Sequence, residues 1–190
     1  MVAIALLRGV NVGGHNKIKM DGLRALCATL ELEHAQTYVQ SGNVVFRTSA
    51  HDTVKIGPRL ENAIQRTFGF HAAVMVRTLD ELRGVLSRNP FAGRVGIDPA
   101  KLLVTFLGVD PGPEAAARIA AIPYGADRPE ELFLDGRELY IHYPNGVGRS
   151  KLSPSVVERA LGTAGTARNW NTVAKLVEIA EALPSQGSTP

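Results

Sequence analysis

This chain of 190 residues writes the same order of β-rich and helical runs twice, and that repeat constrains its fold more than any single motif. The first half opens with VAIALLR (2–8), a continuous apolar run of the kind found in strands buried on both faces. MDGLRALCATL then sets Met20, Leu23, Leu26, Cys27 and Leu30 on one helical stripe. AQTYVQ and NVVFRT read as two short strands joined through Ser41-Gly42 into a hairpin. GPRLENAIQRTFG predicts a helix with Pro58 at its first position and Gly69 as its stop, and AAVMVR (72–77) is the fourth strand. Thr78 and Glu81 have capping-box spacing, opening a short helix that Asn89-Pro90 ends.

The second half repeats that order. KLLVTFLG (101–108) is a strand, and PEAAARIAAI (113–122) is a helix started by Pro113. EELFL and ELYIHY form a hairpin across Asp135-Gly136. SPSVVERALG places Ser153 as cap, Pro154 at the first position and Gly162 at the close of a helix. TARNW is a candidate short strand, NTVAKLVEIAEAL a final amphipathic helix and PSQGSTP a disordered tail. Each half is therefore βαββαβ followed by a helix, which predicts an α+β fold of two ferredoxin-like subdomains. The expected boundaries are 1–88 for the first, 89–100 for a linker with two prolines and two glycines, 101–183 for the second, and 184–190 for the tail.

Composition excludes several classes. No apolar run approaches the ~20 residues that cross a bilayer, so no membrane partner is expected. MVAIALLRGV lacks the basic leader and small-residue cleavage site of a signal peptide. The single Cys27 excludes an internal disulfide and suits a reducing compartment, so a cytoplasmic protein is expected. The net charge of +3 is unevenly spread: residues 2–20 and 141–177 together carry +7, and the remainder −4. If the fold gathers those segments on one face, that face attracts anions.

The acid-free loop GVNVGGHNKIKM after the first strand invites a phosphate-cradle reading, but neither named cradle fits. Gly9 and Gly14 have Walker spacing, yet His15-Asn16 stand where Lys-Ser/Thr is required. The dinucleotide fingerprint needs Gly-x-Gly-x-x-Gly running straight into a helix, and here the glycines read Gly-x-x-x-Gly-Gly. Two readings remain. The glycines let backbone N–H groups converge on an anion with Arg8, Lys17 and Lys19 adding charge, or Gly13-Gly14 make a tight turn and the lysines are solvated.

YPNGVGRSKLSP is a second acid-free loop, placing Arg149 and Lys151 before a helix N-terminus, where an anion is favoured. Its plainer reading is a loop with incidental basic residues. Arg168, Asn169 and Asn171 stand beside the only Trp; Trp170 either stacks on a base or anchors its helix in the core. Gly42-Asn43 is ordinary hairpin chemistry.

Catalytic patterns are absent from the spacing. Cys27 lies on an apolar stripe, the five histidines show no metal-ligand spacing, and no Gly-x-Ser-x-Gly elbow occurs. No cofactor and no metal are expected; Ser150 and His15 are the remaining candidates for a nucleophile or base.

LLRGVNVGGHNKIKMDGLRALCATL, TYVQSGNVVF, GVGRSKLS and TARNWNTVAKL, taken in that order, resemble the bacterial family DUF1697, a domain of unknown function. The match covers Arg8, Gly9, Asn11, Gly13, Lys17 and Lys19; then Gln40, Ser41, Gly42 and Asn43; then Lys151; then Arg168, Asn169, Trp170, Asn171 and Thr172. His15-Asn16 stands where relatives often have Lys-Asn. The resemblance implies an α+β protein with two ferredoxin-like subdomains and no established activity.

The ligand-binding residues expected are Arg8, Asn11, Gly13, Lys17, Lys19, Arg149, Lys151, Arg168, Asn169 and Trp170. They point to a phosphate-bearing small molecule, with nucleic acid second because few aromatics interleave the basic residues. An enzyme acting on a phosphorylated metabolite, and a purely structural role at the subdomain interface, stay open beside that reading. In a ferredoxin-like half the loop after the first strand is expected at the opposite end of the sheet from the Ser41–Asn43 hairpin tip. The 144–151 loop is expected at the end equivalent to the 9–19 loop.

Overall fold

The structure, a computed structural model, describes residues 1–49, 53–122 and 129–184. Of the expected tail, 184–190, residues 185–190 lie outside them. Its elements are Val2–Leu7 (β1), Met20–Thr29 (α1), Glu33–Tyr38 (β2), Asn43–Arg47 (β3), Thr53–Phe68 (α2), Val74–Thr78 (β4) and Leu79–Ser87 (α3). They continue with Leu102–Leu107 (β5), Ala115–Ala120 (α4), Glu131–Asp135 (β6), Glu138–His142 (β7), Pro154–Leu161 (α5), Gly165–Asn169 (β8) and Trp170–Glu181 (α6). The chain divides into one unit of Met1–Gly84 with Lys175–Pro190 and a second of Val85–Ala174.

Each half builds an antiparallel four-stranded sheet, ordered β2-β3-β1-β4 and β6-β7-β5-β8. This is the α+β, ferredoxin-like layout that the element order predicts. In the first unit Ala3, Ala5 and Leu7 of β1 join Val44 and Phe46 against Leu23 and Cys27 of α1 and Leu60 and Ile64 of α2. The alternate residues Ile4 and Leu6 are equally buried, as a continuous apolar strand requires. In the second unit Leu107, Leu139 and Ile141 pack with Ala115, Ile119, Val157 and Leu161. Each fully buried aliphatic side chain of this kind contributes about 1.5–3 kcal/mol.

Local signals fix several boundaries. Thr78 N–H donates to Glu81 Oε2 at 2.7 Å while Glu81 N–H donates to Thr78 Oγ1 at 3.1 Å, a complete capping box. Ser153 accepts from Val156 N–H, and Gly162 closes α5 in the left-handed region at φ 69°. TARN lies in strand β8, which starts one residue earlier at Gly165, and Trp170, expected to end the strand, opens α6 instead.

Several segments differ from expectation, β4 among them, which starts at Val74 rather than Ala72. α2 starts at Thr53, so Pro58 lies inside the helix. The cause is upstream burial: Ile56, Leu60 and Ile64, four residues apart, form one stripe exposed by no more than 1%. β2 runs two residues earlier than its expected span, because a bulge with His34 at φ 51° twists its start and Val39 at φ 50° ends it. α4 keeps only six residues.

The expected placement of the loops is wrong in both units. β1 runs antiparallel to β3, pairing Leu6 with Asn43, so its end lies beside the β2–β3 hairpin tip rather than opposite it. Leu7 N–H donates to Gly42 O at 2.8 Å across that junction. β7 likewise runs antiparallel to β5, so the 144–151 loop sits where β5 begins, with Tyr143 N–H donating to Lys101 O at 2.9 Å. The equivalent place in the first unit is the start of β1, the end away from the 9–19 loop.

Candidate functional site

The loop after β1 is a miniature hairpin. Val12 and His15 form an isolated antiparallel bridge around Gly13 and Gly14, at φ 58° and 81°. Positive φ at both central residues is the requirement of a type I′ turn, so the glycine pair makes a tight turn. Asn11, itself at φ 57°, ties the base of this hairpin. Its Nδ2 donates to Ile18 O at 3.0 Å and Gln40 O at 2.8 Å, and its Oδ1 accepts from Ile18 N–H at 2.9 Å. Asn16 adds a bond from Nδ2 to Gly9 O.

Beyond this hairpin the chain runs extended into α1. Extended backbone sends alternate side chains to opposite sides, so Ile18 goes into the core while Lys17 and Lys19 stay exposed. Lys19 occupies the N-cap of α1 and provides no side-chain cap. The helix therefore begins with the partial positive charge of its first N–H groups unscreened by a capping oxygen. Asp21 in the first turn pairs with Arg24.

A pocket of about 460 Å³ opens there, lined by Asn11, Gly14, Lys17, Ile18, Lys19, Met20 and Gln40. Three of the expected ligand residues, Asn11, Lys17 and Lys19, meet in it. Gln40 joins them from the hairpin tip; the β1–β3 pairing was the signal that finds it. Arg8 is exposed at the end of β1, its N–H donating to Ala73 O, and neither it nor Gly13 is among the lining residues.

The other expected residues belong to the second unit. Arg149 ends a short 3₁₀ turn, Val147–Arg149, and both it and Lys151 are exposed ahead of α5. Asn169 stands at the same end of that sheet, because β8 also runs antiparallel to β5. Its Nδ2 donates to Ala100 O at 2.8 Å and its Oδ1 accepts from Asn171 N–H. Trp170 is half-buried. Arg168 points inward at 6% exposure, its Nη1 donating to Thr166 Oγ1 at 2.7 Å and Ala167 O at 2.9 Å. Burial lowers its pKa to about 10, which leaves it cationic at neutral pH.

Catalytic groups are sparse among the described residues. Burial pushes the Cys27 thiol up to about 12, so it stays protonated and inert. Among the described residues no group of three or more His, Cys, Asp or Glu side chains could hold a metal ion, and no helix is long and apolar enough to cross a membrane.

A family model described as Protein of unknown function (DUF1697) matches residues 1–140. The chain belongs to this family. Among solved structures it is similar to the conserved bacterial protein SP0830 from Streptococcus pneumoniae, with TM-score 0.71 and 22% sequence identity. That alignment covers 94% of this chain and 98% of the other, so the two share a fold. No curated protein matches the chain.

Proposed function

We propose that this DUF1697 protein binds a phosphorylated small molecule in the pocket at the end of β1. The observation that carries the reading is the convergence there of Lys17, Lys19 and the uncapped start of α1. Two ammonium groups and a helix N-terminus favour an anion. A volume of about 460 Å³ falls in the range of sites that enclose a whole small molecule. Ile18 and Met20 give one side of the pocket an apolar wall, and Asn11 and Gln40 supply amides beside it. Nucleic acid fits less well, because no aromatic side chain lines the pocket to stack a base.

A second reading concerns the Arg168–Asn171 motif alone. Arg168 and Asn169 bond to their own unit's backbone and to Thr166, which supports a structural role there.

A thermal-shift panel of nucleotides, sugar phosphates, pyridoxal phosphate, oligonucleotides and inorganic sulfate tests the pocket. A ligand that binds only the folded state raises its Tm. The expected result is a shift from one phosphorylated class that is lost in Lys17→Ala and Lys19→Ala and kept in Arg8→Ala. Each lysine contact is expected to contribute about 1.5–3 kcal/mol, roughly tenfold to a hundredfold in affinity. No shift from any phosphorylated compound, or an equal shift in the lysine variants, overturns the assignment.

A further inference from the structure

The end of α3 and the residues after it form a strap over one face of the second unit's sheet. Tyr140 Oη donates to Val85 O at 2.9 Å, and Arg88 pairs with Asp135 at the end of β6. Asn89 folds the next turn, its Oδ1 accepting from Phe91 N–H and its carbonyl from Ala92 N–H. Phe91 is thereby buried to 4% exposure, its ring 5.9 Å from that of His142. Arg94 stacks over the same Phe91 ring at 5.2 Å, and its Nη2 donates to both carboxylate oxygens of Glu131 at 2.9 Å. The strap is thus clipped to both ends of β6, with Phe91 plugged between.

Under that plug lies a group the proposed function does not use. His142 is 5% exposed, and among the described residues neither of its ring nitrogens has a hydrogen-bond partner. Glu131 Oε1 lies 3.8 Å from Nδ1 and is already bonded to Arg94. We propose that the strap is a proton-operated latch, in which charging His142 lifts Phe91 and Arg94 from the sheet.

The charge pattern of that face gives the direction. Cross-strand partners share a face, which places Glu131, Asp135, Glu138, His142 and Arg168 on the side that the strap covers. With Arg88 and Arg94 of the strap, three acids stand against three arginines and the face is balanced. Lys101, beside Leu102 on β5, turns its Nζ away to Pro144 O. A proton on His142 adds an unmatched charge in a buried place, and a buried charge is costly unless it is paired. At 3.8 Å Glu131 is too far to accept a hydrogen bond from the closed imidazolium, and Arg94 already holds that carboxylate, so charging the ring sets two cations beside one acid. The second ring N–H meets no acceptor until Phe91 lifts and water enters. The lifted strap therefore solvates the charged histidine better, and acid favours it.

Histidine is the side chain suited to such a switch between about pH 8 and pH 5. Hydrogen exchange of the full chain, read on residues 88–98 across that range and normalised for intrinsic rates, tests the latch. One linked proton is expected to raise strap opening by up to about tenfold per pH unit, and His142→Gln is expected to abolish the pH dependence. In the wild type, the midpoint of opening is expected to coincide with that of the His142 ring titration followed by NMR. Strap protection that does not change with pH, a change kept in His142→Gln, or midpoints that differ would each overturn it.

Discussion

The end of β1 and the end of β5 are the same place in the two ferredoxin-like units, and the chain builds them differently. In the first unit residues 8–19 fold into a hairpin, and Lys17, Lys19 and Gln40 line the resulting pocket. In the second a shorter connection, residues 108–114, borders a pocket of about 590 Å³ lined by Asp110, Gly112, Pro113, Ala116, Leu134 and Gly136. The geometry is shared because each first strand ends beside its unit's hairpin tip. The charge is not: one pocket has two lysines and a ten-residue helix behind it, the other an aspartate and a six-residue helix. The sheet supplies the depression, and the connecting loop sets the sign of what it attracts.

The largest test of this comparison is at the two hairpin tips. Gly42 and Gly136 both have positive φ, at 74° and 55°. A Cβ on Gly42 would lie 2.8 Å from Leu7 Cβ, whereas one on Gly136 meets nothing within 4 Å. Gly42→Ala combines backbone strain with overpacking and is expected to cost about 2–4 kcal/mol, against about 1 kcal/mol for Gly136→Ala. Each unit has its own probe: Cys27 reacts with a thiol reagent only when the first unit opens, and Trp170 fluorescence follows the second. Equal costs would mean that the first tip does not approach β1 as closely as the structure shows.

The loops themselves differ next. Asn11 makes three side-chain bonds, two within its own loop to Ile18 and one across to Gln40, whereas Asp110 accepts from Gly112 N–H at 2.8 Å. Asn11→Ala is expected to cost about 1–3 kcal/mol and Asp110→Ala about 0.5–1.5 kcal/mol, both read by urea denaturation. A smaller loss at Asn11 than at Asp110 would show that its loop holds its shape without the asparagine.

Most of the fold was legible because its signals are local. The Thr78–Glu81 box, the Ser153 cap, Gly162 and the two hairpin glycines each act within a few residues of themselves. The start of α2 was not legible, because it depends on Ile56 being buried against a sheet that its own neighbours do not describe. The same division runs through the candidate site. Gly13-Gly14 can be read as a turn from the sequence, and the lysine pair as charge. That Gln40 stands beside Asn11 follows only from β1 pairing with β3, a contact across 29 residues. Arg168 reads as a basic surface residue by type, yet its place on β8 turns it inward.

The smallest effect separates a binding role from a structural one. Lys17 and Lys19 lie at the surface, and an exposed charge removed from such a place changes stability by no more than about 0.5 kcal/mol. Lys17→Ala and Lys19→Ala are therefore expected to melt with the wild type in the absence of ligand. If either lysine variant instead unfolds as easily as Asn11→Ala, the lysines serve the loop rather than an anion. If the variants keep their stability and lose only the ligand-induced shift, the charge difference between the two pockets is one of binding.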